Sequence, residues 1–351
     1  GSSYNTAVGS QAGILLETGV QNTFVGGLAG DGNTASTRNT AVGYFALSAA
    51  CGDDNTAIGT QALPSATSGL NTAVGKDAGF SLTSGSSCVF VGAAAGVYAT
   101  TADNCVFVGK GAGQGITGTK LTGNGNVAIG VSSGLVLQGA ATDNAYVGAG
   151  SGAGTTTGGS NSSLGADSAP SITTGSNNLM LGHDAGRTGS PGGNITTESN
   201  FCVIGDENIA NIRTAVGVTA NSDQRDKTDF TALDVGLDFV KALAPVTYKW
   251  DKRSKYGDKY ADDFDLDAQT PDGTHKEDWL DIGFKAQEVE ALEQAAGYNK
   301  NNKTNLVTSV TPDGKSYGLT YEKFIPILVK AIQEQNALIE ALTARVATLE
   351  G

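Results

Sequence analysis

The phrase Asn-Thr-Ala-Val-Gly returns throughout the first 217 residues of this 351-residue chain, and nothing else in the sequence constrains its fold as strongly. It stands at residues 5–9, 22–26, 39–43, 55–59 and 71–75, with Phe24 and Ile58 as substitutions. Looser versions follow at 88–92, 105–109, 126–130, 144–148, 161–165, 178–182, 201–205 and 213–217. The closing glycines lie 16 to 18 residues apart except for steps of 21 (Gly109 to Gly130), 23 (Gly182 to Gly205) and 12 (Gly205 to Gly217). A period near 17 is shorter than most helical repeats and suits one coil of a β-solenoid, which buries its face only against neighbouring coils.

Within each unit the apolar residue before the glycine alternates with a polar or small one, as in a short strand with one buried face. A second short element follows in most units, as at Leu28-Ala29-Gly30 and Ala94-Ala95-Gly96. The expectation is two short strands per coil, glycine at corners needing positive φ, and a ladder of side-chain hydrogen bonds along the stacked asparagines. The two long steps add loops at 114–125 and 187–199, where a solenoid commonly carries its binding face. Thr6, Thr23, Thr40, Thr56 and Thr72 recur in register, but threonine is lost from most later units, which weighs against an ice-binding row.

These repeats resemble the head repeats of trimeric autotransporter adhesins and of related phage fibre shafts. The resemblance implies a trimeric β-roll, serving as a rigid spacer or as an adhesive shaft for a host surface glycan or protein receptor. A glycan-degrading tailspike is disfavoured, because Asp and Glu are sparse among the repeats and such enzymes need paired carboxylates.

Composition changes sharply near residue 220. Only eight of the 50 glycines follow Ser222, both tryptophans do, and all four cysteines precede it. Cys51, Cys88, Cys105 and Cys202 form no CxxC pair, and no metal or cofactor is expected. Cys88 and Cys105 occupy equivalent repeat positions, which allows a disulfide but fits a stacked row of small buried side chains better. The net charge of −13 and the absence of a basic run argue against a nucleic-acid partner, and no apolar stretch is long enough for membrane insertion. The chain opens in mid-pattern with Gly-Ser-Ser, so further sequence is expected before it.

Three regions are therefore expected: a glycine-rich β-repeat shaft or head (1–217), a small α+β domain (218–320) and a long C-terminal coiled-coil helix (321–351). In the second, a helical pattern runs through Leu233, Leu237, Val240 and Leu243 to Pro245, followed by a strand at 246–250 and an exposed acidic segment. A strand at 282–284 leads into a helix from Lys285, and a hairpin turns at Pro312-Asp313-Gly314. The last segment spaces Ile325, Leu328, Ile332, Gln335, Ile339, Leu342, Val346 and Leu349 by threes and fours, a coiled-coil seam with one polar member.

Four stretches in order, Ser222-Asp-Gln-Arg-Asp-Lys227, Leu243-Ala-Pro-Val-Thr-Tyr-Lys-Trp250, Gly283-Phe-Lys-Ala-Gln-Glu-Val289 and Tyr321-Glu-Lys-Phe324 with Leu328-Val-Lys-Ala-Ile-Gln-Glu334, resemble the intramolecular chaperone auto-processing domain. That domain closes many phage tail fibres, tailspikes and endosialidases. The resemblance implies a homotrimer folded in the host cytoplasm and carried on the virion, and a single-turnover serine endopeptidase acting on its own chain. Its serine-lysine dyad maps to Ser222 and Lys227, and its cut to the bond between Asn221 and Ser222. The alternative is a bacterial surface adhesin whose C-terminal domain only trimerises.

A serine hydroxyl needs a base, and lysine serves only when desolvation or nearby positive charge lowers its pKa. Arg225 is the candidate for that charge, with Asp223 and Asp226 as further support. Fully extended, the chain would hold Ser222 and Lys227 about 17 Å apart, so it must turn between them or they must come from different subunits. A structural role competes with catalysis: Ser222 as a helix N-cap assisted by Asp223.

Overall fold

The computed structural model describes the whole chain except residues 1, 2, 210, 216, 219, 221, 262 and 300–303. It divides into two compact units, Gly1–Asn208 and Ile209–Gly351.

The first unit is a β-solenoid. Its strands are β1 (Thr6–Val8), β2 (Thr23–Val25), β3 (Thr40–Val42), β4 (Thr56–Ile58), β5 (Thr72–Val74), β6 (Val89–Val91), β7 (Val106–Val108), β8 (Val127–Ile129), β9 (Ala145–Val147), β10 (Ser162–Leu164), β11 (Leu179–Leu181) and β12 (Cys202–Ile204). They form one parallel sheet in sequence order, each residue paired with its repeat equivalent, as Phe24 with Ala41 and Phe90 with Phe107. The repeat at 213–217 forms no strand among the described residues, and Val216 lies outside them.

The burial runs opposite to the face suggested by the alternation. The middle residue of each strand points inward: Phe24, Ala41, Ala57, Ala73, Phe90, Phe107, Ala128 and Tyr146 are fully buried. The aliphatic residue before the glycine points outward, and Val8, Ile58, Ile129, Val147, Leu164 and Ile204 are exposed. A three-residue strand places both ends on one face and only its middle on the other, and this narrow coil accommodates one inward side chain per strand. The second element is not a strand. It is a left-handed turn stacked on its equivalents, with Leu28 at φ 57° and Ala94 at φ 59°. Gly30 N–H donates to the Ala46 carbonyl at 3.0 Å and Gly79 N–H to Ala95 at 2.9 Å.

Volume is shared between these two rows. Where the strand middle is Phe24, Phe90, Phe107 or Tyr146, the residue six further on is Gly30, Gly96, Gly113 or Gly152; where it is Ala41 or Ala57, that residue is Leu47 or Leu63. A Cβ built on Gly30 would lie 2.6 Å from the Phe24 ring, and one on Gly152 would lie 2.5 Å from Tyr146. A ring at one position therefore demands glycine at the other; where Ala73 pairs with Gly79 and Ala128 with Gly134, Leu63, Phe90 and Leu137 fill the space over the glycines instead. The corner glycines are constrained differently: Gly59 has φ +136°, and a Cβ there would lie 2.5 Å from the carbonyl oxygen of Gly75 in the next coil.

The buried asparagines form the expected ladder in two styles. From Asn5 to Asn71 each Oδ1 accepts the backbone N–H of the next coil's equivalent residue, as Asn22 does from Asn39 at 2.9 Å. From Asn126 to Asn178 the side chains also bond to one another, Asn161 Nδ2 donating to Asn144 Oδ1 at 3.1 Å. Cys88 and Cys105 interrupt the row as free, buried thiols. The long steps are partly built into the stack: Leu121 and Ile195 are fully buried and Leu121 bridges to Ala99 and Gly139, while residues 117–120 stay exposed.

The second unit is α+β. Strands β13 (Val246–Tyr248) and β14 (Asp281–Gly283) pair antiparallel, and β15 (Thr308–Val310) and β16 (Tyr317–Leu319) form the hairpin. Helices α1 (Leu237–Ala242), α2 (Ala286–Ala295) and α3 (Phe324–Glu350) complete it. Helix α1 is shorter than the sequence pattern suggests, because Leu233 and Val235 contribute to the core from extended chain before it. That core joins Val235, Phe239, Val289, Val307, Phe324 and Ile327. Two carboxylates organise its backbone. Glu334 of α3 accepts the Leu237 N–H at 2.7 Å at the start of α1, and buried Glu293 of α2 accepts N–H bonds from Val307 at 2.6 Å and Thr308 at 3.0 Å, plus the Thr308 hydroxyl. The acidic segment is tied down rather than free: Arg253 meets Asp267 at 2.6 Å, and Lys315 meets Asp265 at 2.6 Å.

Candidate active site

A single 3-10 turn, Gln224–Asp226, lies between Ser222 and Lys227. Asp223 caps it: its Oδ1 accepts the Arg225 backbone N–H at 2.9 Å, the turn that aspartate makes with an amide two residues on. The cap is therefore Asp223 and not Ser222, which leaves the serine hydroxyl for another partner. That partner is Lys227, whose Nζ lies 2.5 Å from Ser222 Oγ and 3.3 Å from the Ser222 carbonyl oxygen. One turn thus removes the separation of an extended chain, and it does so within one subunit.

The supporting residues are arranged differently from the expectation. The Arg225 guanidinium turns back onto Asp223, with Nη2 2.6 Å from Oδ2. Arg225 holds the Asp223 carboxyl below the usual carboxylate range and is itself raised by that hydrogen bond. Its charge is spent on the cap rather than offered to Lys227. Asp226 is exposed and closes the turn through its backbone N–H, which donates to the Asp223 carbonyl at 3.2 Å. Ser222 and Lys227 are exposed as well. Asn221, on the other side of the expected cut, lies outside the described residues.

Residues 222–298 match the family model described as chaperone of endosialidase. The span begins at Ser222 and includes the turn, α1, the β13–β14 pair and α2. The match supports an intramolecular chaperone and, at the level of reaction class, autocatalytic serine peptidase activity. Neither the curated proteins nor the solved structures give a match to the chain.

Helix α3 presents two apolar faces. Phe324, Ile327 and Ala331 are buried against the unit's own core. The seam residues Ile325, Leu328, Ile332, Ile339, Leu342, Val346 and Leu349 are exposed, as is Gln335 among them. Sequence spacing separates these faces only in part, since both follow steps of three and four and only tertiary packing tells which is used within the chain. Glu293 and Glu334 were not singled out from the sequence. A carboxylate among apolar helix positions was the available signal for Glu293, whereas Glu334 looks like an ordinary surface charge.

Proposed function

We propose that this chain is a segment of a phage-type tail fibre or spike: a homotrimeric β-solenoid shaft for host attachment, with a C-terminal chaperone that brings three chains into register and then cuts itself away. The observation that carries the cleavage is the 2.5 Å approach of Lys227 Nζ to Ser222 Oγ at the start of the matched span. Lys227 takes the hydroxyl proton while Ser222 Oγ attacks the carbonyl carbon of Asn221. The C–N bond breaks as Lys227 returns that proton to the Ser222 nitrogen, which leaves as the amine, and water hydrolyses the resulting ester.

In this chain Arg225 is engaged with Asp223, and Ser222 and Lys227 face solvent. Burial on association would desolvate the lysine and so couple cleavage to assembly. Two apolar rows support association into a trimer, namely the exposed residues of the α3 seam and the outward aliphatic residues of the solenoid strands, such as Val8, Ile58, Ile129 and Leu164. Registering three thin shafts is a slow problem of non-local pairing, and a C-terminal trimer supplies high effective concentration. Removing the chaperone afterwards abolishes the refolding route while the shaft persists, which is kinetic stability. Folding in the host cytoplasm and location on the virion follow from this role.

The test is the intact mass of the full chain beside Ser222→Ala and Lys227→Ala. The parent is expected to split at the 221–222 bond and both variants to stay whole. A parent that stays whole as a folded trimer would make the C-terminal unit a permanent trimerisation cap and favour the surface-adhesin alternative.

A further inference from the structure

We infer that the last coils of the solenoid hold a divalent transition-metal ion, with His183 Nδ1 and carboxylate oxygens of Asp184 and Asp167 as ligands and Asp206 beside them. The stacking register makes the arrangement. Gly165, Gly182 and Gly205 close equivalent strands, so Ala166, His183 and Asp206 are stack neighbours, and so are Asp167, Asp184 and Glu207. The sheet therefore places acidic side chains one strand spacing apart, with a single imidazole among them.

Three features point to a metal rather than to a solvated acidic surface. First, Asp167, His183 and Asp184 each offer one ligand atom within 4.8 Å of the other two. Second, His183 Nδ1 lies 3.3 Å from Asp184 Oδ2. Charge-assisted hydrogen bonds close to about 2.7–2.9 Å, whereas donor atoms held about 2.0–2.1 Å from one tetrahedral ion lie about 3.3–3.4 Å apart. Third, the buried donor is oriented from behind: Asp184, at 1% exposure, has its other oxygen fixed by Arg187 Nε at 2.9 Å. Such an outer partner is what a metal-ligating carboxylate uses to aim its free oxygen. Asp206 stands beside the site rather than in it, its Oδ1 accepting the Asn208 backbone N–H at 2.9 Å and its Oδ2 the Asn208 Nδ2 at 2.8 Å. The His183 side chain is half exposed, which leaves an entry path and room for water in a remaining position.

An imidazole with few oxygens favours zinc(II) or nickel(II) over calcium or magnesium, which require more oxygen ligands. The location suggests the purpose. Terminal coils have a neighbour on one side only and open first, and an ion held by consecutive coils would staple that end of the shaft.

Calorimetric titration of the full chain with zinc chloride, followed by thermal melting, tests the proposal, with His183→Ala, Asp167→Asn and Cys202→Ser as variants. His183 and Asp167 are not part of the buried core, so loss of binding in these variants is separable from loss of the fold. One ion per chain is expected, with affinity falling at least tenfold in His183→Ala and Asp167→Asn but unchanged in Cys202→Ser. Zinc should raise the melting temperature where calcium and magnesium do not. Absence of zinc binding, binding that survives His183→Ala, or binding that depends on Cys202, the exposed free thiol, would overturn the assignment.

Discussion

The two units solve the problem of burying apolar surface in opposite ways. In the solenoid the coils satisfy one another through backbone rungs, an asparagine ladder interrupted at Cys88 and Cys105, and a row of inward side chains that share volume with the residue six positions on. Its stability is a sum of nearly identical nearest-neighbour contacts, so no single coil decides the fold. The C-terminal unit has one small core and relies on singular contacts, with Glu293 and Glu334 each used once and a row of apolar residues on α3 left bare. Repetition gives a robust scaffold, whereas the irregular unit leaves an apolar surface uncovered.

The largest expected effect follows from that bare surface. Ile332→Asp together with Leu342→Asp places charges in the exposed seam without touching Phe324, Ile327 or Ala331. Light scattering should show a trimeric parent and a monomeric variant, and cleavage at Ser222 should disappear with the trimer. A variant that still cleaves as a monomer would show that the dyad needs no partner and would remove the link between assembly and cutting.

Next comes Glu293, whose carboxylate accepts two buried N–H groups and a hydroxyl. Glu293→Ala orphans them and should cost about 3–5 kcal/mol, a large part of what holds a unit with so small a core. Urea unfolding followed by tryptophan fluorescence reports on this unit alone, since Trp250 and Trp279 both lie in it. In the solenoid, Gly59→Ala meets both φ +136° and a carbonyl 2.5 Å away, so it should cost about 3 kcal/mol or more. Gly118→Ala, with nothing within 4 Å, should change stability by less than about 0.5 kcal/mol. If Gly59→Ala lowers the melting temperature no more than Gly118→Ala, the coils are not held at the spacing described.

How much of this the sequence disclosed follows the same division. The solenoid's period, its in-register pairing and its asparagine ladder were legible because each was repeated many times. The facing was not: Thr-Ala-Val reads as a strand burying valine, whereas the structure buries alanine or an aromatic ring. The pairing of Phe24 with Gly30 and Ala41 with Leu47 carried that information, as a correlation between positions rather than a hydrophobicity. In the C-terminal unit the long last helix and the hairpin were visible from spacing and turn residues. The start of α1 was not, because Leu233 and Val235 keep a helical apolar spacing while lying in extended chain. At the site, Ser222 and Lys227 stood out only through resemblance, and the use of Arg225 to hold Asp223 depends on a side-chain direction that sequence does not encode.

The smallest effect concerns how that turn is made. If Asp223 acts as an acceptor for the Arg225 N–H, Asp223→Asn keeps the acceptor and should process nearly as fast as the parent. Asp223→Ala loses it and should slow cleavage by up to about a hundredfold, the scale of a small misplacement of reacting groups. The sign of the pH dependence separates this contribution from that of the lysine. Because Arg225 lowers the Asp223 pKa, the ion pair is fully formed above the ordinary carboxylate value of about 3.9 and is lost only as pH falls through the lower folded value. Between about pH 6 and 9 the cap is therefore constant, and a rise in rate with pH across that window comes from a group other than Asp223. Parent and Asp223→Asn should then give parallel profiles in timed mass measurements. A profile that shifts along the pH axis in Asp223→Asn would mean instead that the Asp223 carboxylate takes part in the rate-setting titration, making the turn part of the chemistry rather than its frame.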